Sequence, residues 1–128
     1  QGVDLIIGSH PHVGQPMEIR VNPETGKRSL IEHSLGNFIS NQNGADSRGG
    51  ALVKVRISYS IFGKTSLKDA SYRLFFCQKP KGKSDNYILI PQECEQMVRP
   101  DSQAAFKRFM SRATEIFNKH NVNVPCAE

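Results

Sequence analysis

The chain has 128 residues, 38% of them hydrophobic, and a formal charge of +5. That length supports one domain with its own core; there is no run of about 18 apolar residues to span a membrane and no signal-peptide pattern. The basic residues are spread out apart from Lys79, Lys81 and Lys83, and no basic face with interleaved aromatics marks a nucleic-acid binder, while mild positive charge suits an anionic polymer or a phosphate ligand.

The chain opens on Gln1 rather than Met and runs directly into Val3-Asp4-Leu5-Ile6-Ile7. It is therefore expected to be a fragment or a processed chain with upstream sequence missing. The branched apolar run reads as a strand buried on both faces. Such a strand needs neighbours and covering helices, and this chain supplies few. Gly8 ends the strand, and Pro11 forbids a helix across Ser9-His10-Pro11-His12. Both imidazoles then sit on a stiff loop at the carboxyl end of a strand, where α/β proteins commonly place their chemistry. Neutral imidazole is the commonest nitrogen ligand for zinc and similar metals, which makes His10 and His12 candidate metal ligands. A zinc site wants about three or four protein ligands, so the others must come from elsewhere.

Residues 17–21 alternate with period two and predict a half-buried strand. Residues 22–27 hold Pro23 and Gly26 and predict a hairpin turn, with residues 29–34 returning antiparallel. Strict alternation turns either Glu32 or His33 inward. Gly36-Asn37 predicts a bend where backbone approaches something closely. Residues 41–50 are polar and glycine-rich and predict a mobile loop. Within it Asp46, Ser47 and Arg48 are candidates for a lid, and Arg48 is the candidate to grip phosphate or carboxylate with its forked guanidinium.

Residues 51–58 show the cleanest alternation, with Val53, Val55 and Ile57 inward and Lys54 and Arg56 toward water. Residues 59–70 are a connection with a turn at Gly63. Strands follow at 71–77 and 87–91, joined by the lysine-rich turn. One helix opens at Pro100-Asp101-Ser102, with Asp101 or Ser102 as its cap. Phe106, Phe109, Met110, Ala113, Ile116 and Phe117 form its apolar stripe, and Lys119 and His120 suit its carboxyl end. Cys77, Cys94 and Cys126 have no CxxC spacing and leave at least one thiol free; they read as buried free thiols, with one bridging pair left open. As an isolated piece the chain reads as α+β: a mostly antiparallel sheet entered by one buried strand and closed by a C-terminal helix.

The run Gly2-Val3-Asp4-Leu5-Ile6-Ile7-Gly8-Ser9-His10-Pro11-His12-Val13, then Gln15-Pro16, then Ser34-Leu35-Gly36-Asn37-Phe38 resembles the CapA/PgsA family. Those are bacterial capsule and poly-γ-glutamate synthesis proteins of the calcineurin-like metallophosphoesterase superfamily. The resemblance covers residues 1–58, the C-terminal part of such a domain, and residues 59–128 then complete it with the remaining strands and helix. It implies an α/β fold, a four-layer αββα sandwich, carrying two divalent transition metal ions. His10-Pro11-His12 matches the superfamily's last motif, which implies His10 on one metal and His12 on the other. The earlier motifs, with their Asp, His and Asn ligands and bridging carboxylate, are not in this sequence. Asn37 is not the superfamily's ligand asparagine; it is placed beside the metals as a pocket residue, with Arg48 as a second substrate-binding residue.

The resemblance implies a parent that is a metal-dependent hydrolase or transferase at the cell envelope, outside the cytoplasm. Its target would be a phosphate or an amide-linked polymer. This chain alone is expected to bind metal weakly and to be inactive. Two alternatives stand beside that reading: a non-catalytic module that binds an anionic polymer, and a structural envelope domain. The partners implied are an anionic polymer or a phosphate-containing small molecule, the upstream part of the same protein, and a second copy through an open sheet edge. Membrane attachment would come only through upstream sequence.

Overall fold

The computed structural model describes residues 2–127. Strands β1 (Leu5–Ile7), β2 (Met17–Val21) and β3 (Arg28–Glu32) form one sheet in the order β1-β3-β2. β1 runs parallel to β3 and β2 runs antiparallel to it. A second sheet, wholly antiparallel, contains β4 (Gly49–Tyr59), β5 (Thr65–Gln78) and β6 (Ile88–Pro91) in that order. Two short 3-10 turns, Glu95–Met97 and Pro100–Ser102, lead into helix α1 (Gln103–His120). Two sheets and one C-terminal helix make an α+β fold, as the residue patterns predict.

The β2–β3 hairpin follows from local chemistry. The Asn22 side chain accepts the N–H groups of Glu24 and Thr25, both at 2.9 Å, and Gly26 takes the positive φ of +67° that closes the turn. The register pairs Met17 with Glu32 and Ile19 with Leu30. Met17, Ile19 and Leu30 therefore face one side and are buried. They meet Ala51, Leu67, Ala70, Tyr72 and Leu74 of the second sheet, together with Phe117 of α1 and Val124. Tyr72 and Phe117 pack edge to face with centroids 4.9 Å apart. A second cluster joins Phe76 and Ile90 to Phe106 and Phe109 of α1. The helix stripe thus reaches both clusters.

The sheets are stitched to each other by backbone. Ala51 donates its N–H to Leu35 O at 2.8 Å, and Asn37 donates to Gly49 O at 3.0 Å. Gly36 sits between, with φ of +80°. A Cβ there would lie 2.8 Å from Gly49 O and 3.1 Å from Gly14 N, so the crossing admits only glycine. After α1 the tail straps the two sheets together. Val122 exchanges hydrogen bonds with Met17 and Ile19 of β2, and Pro125 and Ala127 bond Tyr72 of β5.

Several readings are corrected. β1 is not buried on both faces. Its Ile6 and Ile7, and Val3 before it, are about half exposed, because β3 is its one partner strand among the described residues. Ile57 is exposed although its alternation points inward. The register shifts between Arg56 and Ile57, where β5 carries the extra residue Lys68, and that bulge breaks the period. Residues 59–70 are only in part a connection: the turn lies at Gly63, but β5 begins at Thr65 and pairs with β4 almost to its tip. Ser102 precedes α1 without a side-chain cap bond, because as the last residue of the 3-10 turn it has φ of −105° and ψ of −7° rather than the extended backbone of a cap. Cys77 is buried, Cys94 half-buried and Cys126 exposed, and all three are free thiols.

Gly36→Ala is expected to lower stability by about 2 kcal/mol or more, since it adds both backbone strain and a clash. Gly82, with nothing within 4 Å of an added Cβ, is the control; Gly82→Ala should be neutral or slightly stabilising. Urea midpoints of the two variants check this, and equal midpoints would contradict it.

Candidate functional site

The histidine loop is fixed at its root. Gly8 donates its N–H to Glu32 O at 2.8 Å, and Leu35 donates to Gly8 O at 2.9 Å. A Cβ on Gly8 would fall 2.1 Å from His33 O, so the end of β1 lies directly against the end of β3. The chain then turns, with His12 donating its N–H to Ser9 O at 3.2 Å. His12 has φ of +59°, a left-handed conformation uncommon for any residue with a side chain. His10 and His12 are both exposed.

Asn37 holds the second histidine. Its Oδ1 lies 2.7 Å from His12 Nδ1, although the two residues are 25 apart in sequence. Asn37 is buried and its amide group is fully used: Nδ2 donates to Ser47 O at 2.8 Å and to Gln42 Oε1 at 3.0 Å. With both amide hydrogens committed to oxygens, the atom facing His12 must be the carbonyl oxygen. Oδ1 can only accept, so His12 donates from Nδ1. In the neutral ring the lone pair is then on Nε2. Metal-binding histidines are set up in this way, with one ring N–H given to an oxygen and the other nitrogen presented to the metal.

The N-terminal part of the chain is similar to known proteins. Residues 1–42 match the family described as Bacterial capsule synthesis protein PGA_cap. The PGA biosynthesis protein CapA of Bacillus subtilis (strain 168) is 35% identical over 63 residues, covering 49% of this chain and 15% of that protein. The Capsule biosynthesis protein CapA of Bacillus anthracis is 36% identical over 56 residues, covering 44% of this chain and 12% of that protein. Residues 1–42 are thus similar to the bacterial capsule synthesis PGA_cap family. The shared stretches are a small part of those relatives' own length. No solved structure gives a significant match.

His10, His12, Asn37 and Gln42 all fall inside the PGA_cap segment. Arg48 lies outside it, and no hydrogen bond joins it to His10, His12 or Asn37. Its guanidinium carbon sits 4.9 Å from the centre of the Phe76 ring, and its Nε is buried with no hydrogen-bond partner among the described residues. Burial pushes its pKa down from the ordinary arginine range. Lys79, which Arg48 also influences, reaches the loop through Asn41 O and, at 2.7 Å, Asn43 Oδ1. The loop is tied elsewhere too. Asp46 is paired with Arg112 of α1, so it faces the helix and is no lid over the histidines. Ser47 contributes its backbone oxygen to Asn37.

Among the described residues no three His, Cys, Asp or Glu side chains lie close enough to share a metal ion. Among the described residues the site presents one oriented imidazole, His12, and a neighbouring one, His10.

Glu32 was not singled out from the sequence as a site residue, though the inward position of Leu30 two places earlier marks it. It is the inward-facing member of the Glu32–His33 pair, 1% exposed, while His33 faces Glu18 with Nε2 at 3.7 Å from its carboxylate. Glu32 Oε2 accepts the Gly8 N–H at 3.2 Å, and Oε1 has no partner. Burial raises its pKa from 4.5 to about 7, opposed by the N–H groups of Gly8 and Ser34. The folded protein thus holds this proton more tightly than the unfolded chain. Stability from this group is greatest below pH 4.5, declines as the pH rises to about 7, and is level above that. The loss is of the order of 3 kcal/mol. Glu32→Gln should abolish that part of the decline, so the gap in urea midpoint between variant and parent chain should widen from pH 5 to pH 8. A gap that stays constant with pH would contradict it.

Proposed function

We propose that this chain is part of a capsule or poly-γ-glutamate biosynthesis protein acting at the cell envelope, outside the cytoplasm. In that protein it supplies His12 and His10 to a metal-dependent hydrolase or transferase centre. The remaining ligands, including a bridging carboxylate, would come from residues not in this chain. One observation carries the reading: the buried, fully hydrogen-bonded Asn37 that holds Nδ1–H of His12 at 2.7 Å and leaves Nε2 open. A solvated loop histidine has no use for such an anchor. The names of the two CapA relatives support the biological setting.

Among the described residues the chain's own side chains make an incomplete ligand set. When bound, divalent metal ions would supply Lewis-acid activation of water or of a phosphoryl or carbonyl oxygen. The chain's own part is to hold and orient imidazole. Asn37 sets the His12 ring, and the strained His12 backbone fixes where that ring begins.

A second reading is favoured by Arg48. A half-buried guanidinium whose Nε has no hydrogen-bond partner among the described residues, in a chain of charge +5, suits a module that grips a polyanion without turning it over.

Metal titration separates the two. The full-length protein should hold about two transition metal ions per chain and lose them in His10→Ala/His12→Ala. Asn37→Leu should weaken metal binding by about 10- to 100-fold, as removal of ligand-orienting partners does. This chain alone should bind zinc only weakly. A full-length protein without metal, whose binding of poly-γ-glutamate depends on Arg48 and not on the histidines, would overturn the first reading and establish the second.

A further inference from the structure

The far end of the β4–β5 hairpin is built unlike the rest of the surface. Its turn is well ordered by its own hydrogen bonds. Ser60 donates its N–H to Lys64 O at 2.8 Å, Gly63 donates to Ser60 O at 3.0 Å, and Lys64 N–H reaches Ser60 Oγ at 3.1 Å. Gly63 supplies the positive φ of +74°, and the Ser58 and Ser66 hydroxyls bond across the ribbon at 2.7 Å. None of these contacts uses the side chains at the tip. Those are Ile61, 94% exposed, Phe62, 82% exposed, and Tyr59, 74% exposed, with Ile57 behind them. A turn needs glycine and small polar residues, so large apolar side chains here have no local role.

Along its own sequence the outer part of the hairpin carries charge of one sign, and Asp4, which lies beside Ile57 and Ser66, is paired with Lys27. Residues 54–68 contain Lys54, Arg56, Lys64 and Lys68 and no Asp or Glu. Arg56 is paired with Asp69, which leaves the three lysines without an ion pair among the described residues. An apolar wedge rimmed by lysine is the chemistry of a lipid–water interface. Apolar and aromatic groups enter the boundary between headgroups and acyl chains, while lysine stems reach back to anionic phosphates. A protein partner is less suited to it. Tyr59, Ile61 and Phe62 together offer roughly 500 Å², short of the roughly 800 Å² per partner of a stable interface.

We infer that the tip of the β4–β5 hairpin docks on an anionic lipid surface, with Tyr59, Ile61 and Phe62 inserted and Lys64 and Lys68 over the phosphates. The inference is independent of the metal reading.

Sedimentation with vesicles tests it. This chain should co-sediment with phosphatidylglycerol-containing vesicles, less so as salt is raised, and hardly at all with phosphatidylcholine alone. Ile61→Ser/Phe62→Ser should bind at least about tenfold more weakly, with an unchanged urea midpoint because both side chains are already exposed. Lys64→Glu should weaken binding about fivefold or more, on anionic vesicles only. Absence of co-sedimentation would overturn the inference. So would equal binding by the double serine variant, which would leave charge alone as the cause. Self-association of the chain in ultracentrifugation, abolished by the double serine variant, would instead assign the tip to contact between copies.

Discussion

A single buried amide, Asn37, ties together the parts of this molecule that bear on function. It accepts from His12, donates to Gln42 and to the Ser47 backbone, and gives its own N–H to Gly49. A buried amide that lost these partners would be costly, so the three segments it joins are not independent. The histidine loop, the loop that follows Asn37, and the first residue of β4 are held in one arrangement. That dependence has a direction, because the fully used Nδ2 leaves only an acceptor facing the imidazole.

Two glycines make that junction possible. Gly8 lets the end of β1 lie on the end of β3, and Gly36 lets the segment carrying Asn37 cross the start of β4 at backbone distance. The β2–β3 hairpin and the second sheet close one core beneath the crossing, with Phe117 of α1 against Tyr72. The tail then bonds β2 and β5 at once. Glu32, buried under Gly8 with one oxygen unpartnered, is the polar oddity of this packing. It ties the fold's strength to pH just below the histidine loop.

What was legible in the sequence follows the range of the interaction. The β2–β3 hairpin and the α1 stripe are read from periodicity and turn residues a few positions apart, and both are present. The strand-end place of His10 and His12 is read from Gly8 and Pro11 alone. The position of Asn37 near the histidines came through the family resemblance; its bond to His12 joins residues too far apart for any local pattern. The errors have the same origin. Apolar content shows that β1 can be buried, not that a partner strand is at hand. Alternation assigns Ile57 inward because the extra Lys68 that shifts the register lies on the other strand. Asp46 looks like a lid until Arg112, 66 residues away, is seen to hold it.

The most direct measurement is the tautomer of His12, read from its ring nitrogen shifts and two-bond couplings by NMR of the ¹⁵N-labelled chain near neutral pH, with His12→Gln to assign the signals. The account predicts that the uncharged form of His12 carries its proton on Nδ1, against the preference of the free histidine side chain, and returns to the Nε2–H form in Asn37→Leu. A parent chain already carrying the proton on Nε2, or a tautomer unmoved by Asn37→Leu, would show that Asn37 does not set the ring, and the case for His12 as a prepared ligand would fall.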